Sequence, residues 1–208
     1  MDNASPFARD AFEICSPRLI IRTAIERDAE DMRKFITNPE NNPHTPTESN
    51  VTLESIRTRI RKWQELAAKG SKGFQVITLR STGELIGYGG YNCFDLIEQL
   101  AETATPRYLT DIGVMIARSH WRKGYGLEAF CAFTEFAFAS LGISRVRIET
   151  EITNEPWRRL MDNIGLGQFE EQQTVTYGEK SIGYAWHFEE AAWQSVKEDM
   201  QRRGKWPL

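Results

Sequence analysis

The sequence predicts an α+β fold with a mixed sheet, and three observations carry that prediction. Short runs rich in β-branched and aromatic residues alternate with segments whose apolar residues recur at helical spacing. Ser81-Thr82-Gly83 is a hairpin signal between two of the β-rich runs. One or two helical crossovers make up other connections, so parallel and antiparallel pairings are both expected. With 208 residues and no internal repeat, low-complexity run or linker, one core is the default: an amino-terminal tail or loosely docked lead-in at 1–16, then one domain at 17–208.

The elements follow in chain order. "PRLIIRT" reads as a strand, and "IERDAEDMRKFIT" puts Ile25, Ala29, Met32 and Ile36 at helical spacing. "NPENNPHTPTESN" holds three prolines and four asparagines, which stops a helix and gives an exposed loop of the kind that often lines binding sites. "TLESIRTRIRKWQELAAKG" opens on a capping-box pattern with Ser55 three residues after Thr52. It repeats Leu53, Ile56, Ile60, Trp63 and Leu66 on one face, and ends at Gly70. "FQVITLR" and "ELIGYGGYN" flank the hairpin signal, and "FDLIEQLAETATP" is ambiguous.

"RYLTDIGVMIA" is a further strand, and "SHWRKGYG" turns from it into the helix "LEAFCAFTEFAFASLG", closed by Gly142. Strand "RVRIETEIT", helix "EPWRRLMDNIG", two strands "FEEQQTVTY" and "SIGYAWHF" split by Gly178, and a last helix "EEAAWQSVKEDMQRR" complete the chain.

Composition narrows the function classes. A formal net charge of −3 does not advertise nucleic-acid or anionic-membrane binding, so a polyanion site must be a local basic patch. The longest apolar neighbourhood is broken by Thr134 and Glu135, so no membrane span is expected and the cytoplasm is the simplest address. Cys15, Cys93 and Cys131 are odd in number and far apart, which suggests buried thiols rather than a disulfide framework. His44, His120 and His187 share no metal-ligand spacing, so no metal is expected.

The turn after "RYLTDIGVMIA" carries the most specific chemistry. A strand that enters a glycine turn and then a helix presents unpaired backbone N–H groups at the positive end of the helix dipole. Gly124 and Gly126 let a ligand approach the backbone, Arg122 and Lys123 add charge, and phosphate is the natural guest. A purely structural tight turn is the competing reading. The phosphate motifs of P-loop enzymes and of dinucleotide-binding folds are absent.

The arrangement resembles the GNAT superfamily of acyl-CoA-dependent N-acetyltransferases, and within it the branch of ribosomal-protein alanine N-acetyltransferases. "PRLIIRTAIERDAEDM", "STGELIGYGGY", "DIGVMIARSHWRKGYGLEA" and "RVRIETEITNEPWRRLMDNIGLGQ" carry the resemblance, which spans about Pro17 to Phe188. It implies a mostly antiparallel sheet, flanked by helices and splayed between the fourth and fifth predicted strands. It also implies acetyl-CoA as co-substrate, with pantetheine pairing against the backbone around Val114, Met115 and Ile116. The diphosphate would lie on the amides of Arg122, Lys123, Gly124, Tyr125, Gly126 and Leu127. Asn154 would contact the pantetheine arm; a helix N-cap is a compatible second role.

Deprotonating an unperturbed lysine at pH 7 costs roughly 4.6 kcal/mol and an α-amine about 1 kcal/mol, so the acceptor decides how much help a base must give. By the resemblance Glu149 occupies the position of the general base in several family members, and strand alternation sets it on one face with Arg147 and Glu151; Asp111 is the second candidate. A solvated strand face or a salt bridge to Arg107, Arg145 or Arg147 is the structural alternative for each. The usual proton donors are missing, because Trp157 and Met161 stand where family members carry Ser and Tyr. Trp157, Trp186, Tyr91 and Tyr184 are candidates for an aromatic acceptor pocket or for core. Arg158 and Arg159 read as a solvated helix face, and His44 lies near where family members admit the acceptor.

The expected protein is thus an N-acetyltransferase, monomer or homodimer, acting directly on a peptide or small-molecule primary amine. A non-catalytic acyl-CoA-binding sensor or partner protein is the alternative.

Overall fold

The computed structural model describes residues 5–41, 43, 50–98, 105–176 and 181–208. Among the described residues eight strands form one sheet: β1 (Glu13–Cys15), β2 (Leu19–Thr23), β3 (Gly73–Leu79), β4 (Leu85–Glu98), β5 (Arg107–Ile116), β6 (Arg145–Glu151), β7 (Glu170–Thr174) and β8 (Ile182–Glu189). Their order is β1-β2-β3-β4-β5-β6-β8-β7. All pairings are antiparallel except β5 with β6. Five helices flank the sheet: α1 (Ala29–Thr37), α2 (Leu53–Ala68), α3 (Tyr125–Ala139), α4 (Glu155–Ile164) and α5 (Glu190–Arg202). The mixed, mostly antiparallel α+β architecture read from the sequence is what the chain adopts. Among the described residues no helix is long and apolar enough to cross a membrane.

Strand alternation divides the core between the two faces. Val76 turns to one side, where Met32, Phe35 and Ile36 of α1 meet Ile56, Ile60 and Trp63 of α2. Its neighbour Ile77 turns to the other, against the cluster that includes Phe130 and Phe133 of α3, Met161 of α4 and Trp193 of α5. α3 is the central helix of that layer. Its buried run from Glu128 to Thr134 includes Phe130, Cys131 and Phe133, which explains why its sequence is apolar nearly all round. The capping box of α2 forms as its sequence predicts, with Ser55 N donating to Thr52 Oγ1 and Thr52 N to Ser55 Oγ, both 3.1 Å.

Three elements differ from expectation. The stretch read as a tail or lead-in contributes β1, which pairs with β2, and buries Phe7 and Phe12. Phe7 stacks on Phe94 at 4.4 Å and meets Tyr108 edge-on at 4.8 Å. The ambiguous segment after Asn92 continues β4 as far as Glu98. Of the three cysteines read as buried, only Cys131 is; Cys15 is exposed and Cys93 half-buried. His44 and Gly178 lie outside the described residues.

Because Phe7 fills a ring-lined site, Phe7→Ala is expected to lower unfolding free energy by about 3 kcal/mol. Urea denaturation measures it, and a change under about 0.5 kcal/mol would mark residues 5–12 as a loosely attached tail.

Candidate active site

Strands β5 and β6 pair over only three positions, Leu109 with Arg145, Thr110 with Val146 and Asp111 with Arg147. Beyond them β5 continues beside β4 to Ile116, and β6 continues beside β8 to Glu151. The two strands therefore part at Asp111, leaving the β6-facing edge of residues 112–116 without a strand partner. This is the splay expected between the fourth and fifth predicted strands, which are β5 and β6 once β1 is counted. A bulge in β4 lies opposite the parting point: Tyr91 pairs with Ile112 and Phe94 with Thr110, so Asn92 and Cys93 together face Asp111. Thr110 Oγ1 donates to the Cys93 carbonyl at 2.7 Å and holds the bulge.

The opening is a cleft of about 910 Å³, walled by β4, β5, the β5–α3 turn and α4. Val114, Met115, Ile116, Arg122, Gly124, Gly126, Leu127 and Asn154 line it, as do Asp111 and Glu149. Lys123 and Tyr125 are outside the lining. Trp121 Nε1 donates to the Ile116 carbonyl at 2.6 Å, so that oxygen already has a partner and the free edge lies nearer Gly113–Met115.

The turn into α3 is built for backbone exposure. Arg122 has φ 59° and Gly124 φ 82°, two left-handed residues one apart, and the Gly124 N-cap has no side-chain cap. The first α-helical bond is Glu128 N to Gly124 O at 3.0 Å, so the amides of Tyr125, Gly126 and Leu127 precede the ladder. A Cβ at Gly126 would meet nothing nearer than Ile116 Cγ1 at 4.0 Å, so the missing side chain leaves open space over these amides. Left-handed backbone at a bulky residue such as Arg122 is costly and is typical of ligand-holding loops.

A compact charged cluster sits where the strands part. Arg147 Nε donates to Asp111 Oδ2 at 3.0 Å and lies 3.6 Å from Glu149 Oε1. Asn92 Nδ2 donates to the other Asp111 oxygen. Burial raises the Asp111 carboxyl above the usual carboxylate range, against the opposing hydrogen bonds from Asn92 and Arg147. Glu149 is differently placed: Gln173 Nε2 at 2.8 Å, Thr176 N at 2.9 Å and Thr176 Oγ1 at 2.6 Å all donate to it. Both carboxylates thus form the Arg147 salt bridge offered as their structural alternative, and both still reach the cleft.

On the far wall Asn154 caps α4. Its Oδ1 accepts from Trp157 N at 3.3 Å and its Nδ2 donates to Thr150 Oγ1 at 2.7 Å, which leaves one amide hydrogen and one lone pair for a ligand. Trp157 lines the cleft, its ring edge-on to Phe130 at 5.9 Å. Met161 is fully buried in the core. The aromatic acceptor pocket does not form as drawn: Trp186 and Tyr91 are buried, Tyr91 Oη donating to the Phe133 carbonyl at 2.9 Å. Tyr184 lies under the Arg158 guanidinium at 3.8 Å. Arg158 is tied to Glu170 at 2.7 Å, and Arg159 is an exposed residue at the cleft rim. His120 lines the cleft 3.6 Å from Glu84.

The structure adds residues that the sequence did not single out. Asn92 and Tyr88 line the cleft from β4, and Asn41 ties the region after α1 to the turn by accepting from Arg118 N at 2.8 Å. Only the asparagine-rich loop carried a signal for any of them.

The comparisons with known proteins agree with this geometry. A family model described as an acetyltransferase (GNAT) domain matches residues 18–167. An uncharacterised N-acetyltransferase, p20 of Bacillus licheniformis, is 25% identical over 166 residues, 80% of this chain and 86% of that protein. Another, YoaA of Bacillus subtilis (strain 168), is 30% identical over 151 residues, 71% and 78% of the two chains. Among solved structures, Mycobacterium smegmatis RimJ in complex with CoA-disulfide has the same fold. It aligns with a TM-score of 0.73 at 16% identity, over 96% of this chain and 97% of that one. A parted parallel strand pair leading into an uncapped glycine turn, on a chain matched over most of its length by that family model, makes this protein a member of the GNAT family, an N-acetyltransferase that acts on an amine acceptor.

Proposed function

We propose that the protein transfers the acetyl group of acetyl-CoA directly to a primary amine, in the cytoplasm, with both substrates in the one cleft. The observation that carries this is the continuity of the free β5 edge at 113–115 with the bare amides of 125–127. An extended amide-bearing chain would pair with the first, and a diphosphate would accept from the second. Val114 and Met115 would hold the pantetheine arm, with Asn154 across the cleft. Ile116, whose carbonyl is taken by Trp121, would contribute its side chain as wall. Arg122 and the amides from Gly124 to Leu127 would hold the diphosphate; Lys123 would add only charge. Bound there, the thioester supplies the activated acetyl group.

The chain's own residues would manage the proton that leaves the amine. Asp111 is the stronger candidate for the proton-holding group, because burial has raised its proton affinity and it sits where the strands part. The oxygens of Glu149 already accept from Gln173 and Thr176, so its role is to fix Arg147 and hold negative charge toward a cationic acceptor. The leaving thiolate, with a pKa of about 8.5, needs little help, which suits a cleft whose wall at 157 is an indole and whose helix at 161 is a core methionine.

Thiol release from acetyl-CoA, assayed against peptides with free α-amines, lysine-bearing peptides and small primary amines, tests the activity. Release above background is expected for at least one class, and none for every class would remove the direct-transfer reading. Asp111→Asn is expected to lower kcat about 100-fold for a lysine-like amine and less for an α-amine. The sign for pH follows from the raised pKa: activity falls toward the Asp111→Asn level while Asp111 is protonated and rises with pH through a limb above the ordinary aspartate range. A pH–rate profile unchanged in Asp111→Asn would assign the proton elsewhere.

A further inference from the structure

Glu128 has no part in the chemistry above, yet it is a fully buried carboxylate in the first turn of α3. Its oxygens are held by three donors: Ser16 Oγ and Arg18 N on Oε1, both 2.7 Å, and Arg18 Nε on Oε2 at 2.6 Å. Burying a carboxylate on a half-exposed guanidinium is rarely the cheapest way to hold a helix in place, so it points to something other than packing. The remainder of Arg18 shows what it does. Its Nη1 donates to the Lys123 carbonyl at 2.8 Å, and its guanidinium lies 4.5 Å over the Tyr125 ring.

Every described peptide bond is trans, and in a trans peptide the carbonyl and the following N–H point in opposite directions. Pinning the Lys123 carbonyl therefore turns the Gly124 N–H away from Arg18. Gly124 and Gly126 line the cleft, whereas Arg18, Lys123 and Tyr125 do not. Arg18 thus grips the turn from behind while the Gly124 amide faces the ligand side. A Cβ at Gly124 would come within 3.1 Å of Arg18 Nη2, so the glycine also makes room for the grip.

We propose that Arg18, held in place by Glu128, is a positioning residue that presets the left-handed turn for the diphosphate of CoA. This rests on the reading that the diphosphate binds Arg122 and the amides from Gly124 to Leu127. Without the grip, the Lys123–Gly124 peptide is free to rotate and must be re-ordered at each binding event, a cost that falls only on ligands carrying the diphosphate.

Titrating the 208-residue protein with CoA and with pantetheine, which lacks the diphosphate, tests it. The wild type is expected to bind CoA far more tightly than pantetheine. Arg18→Gln is expected to weaken CoA about tenfold and leave pantetheine unchanged, with Arg18→Lys, which can satisfy Glu128 or the carbonyl but not both, in between. Arg18→Gln weakening both ligands equally, or neither, would overturn the positioning role. Equal affinity of the wild type for CoA and pantetheine would instead remove the diphosphate reading on which it rests.

Discussion

The arrangement depends on the parallel pairing of β5 with β6 stopping after three residue pairs. A sheet interior normally has every backbone N–H and C=O paired, and unpaired groups are costly once shut away from water. Here the cost is avoided by opening the sheet into a cleft, so the edge at 113–115 stays accessible and the turn at its end stays bare. The bulge at Asn92–Cys93 and the Asp111–Arg147 pair sit at the parting point, one bending β4 and the other closing the last paired position with charge. The shape of the cleft and the location of its charges are thus one feature.

That coupling explains the division of labour in the cluster. One guanidinium lies between two carboxylates, and their hydrogen-bonding environments differ. Glu149 accepts from a side-chain amide, a backbone amide and a hydroxyl, whereas Asp111 accepts from the Asn92 amide and the Arg147 guanidinium. Two acids of the same strand pair are thereby set apart in their surroundings, and burial raises the proton affinity of Asp111.

Much of this was legible in the sequence because it rests on local patterns. Helical periodicity marks α1 and α2, the Thr52–Ser55 box forms, and the family resemblance sets the glycine turn and Asn154 at one site, where they line one cleft. What was not legible depends on tertiary contact. Phe7 and Phe12 show no period because each fills a hole made elsewhere, and β1 is only three residues long. The bulge opposite Asp111 has no turn residue to announce it, so Asn92 passed as an ordinary strand position. Tyr91 and Trp186 are candidates for pocket or core by residue type alone, and strand alternation carries both into the core. Lys123 read as a phosphate partner by charge, whereas its carbonyl is what the fold uses.

The central claim is that one cofactor lies along both the free β5 edge and the bare start of α3. Amide hydrogen exchange with and without CoA tests it most directly, because backbone N–H groups that gain an acceptor exchange more slowly. The account predicts slowed exchange in two separated segments, 113–115 and 124–127, with little change in α2 or α5. Slowing in only one of the two segments, or spread evenly over the sheet, would contradict it.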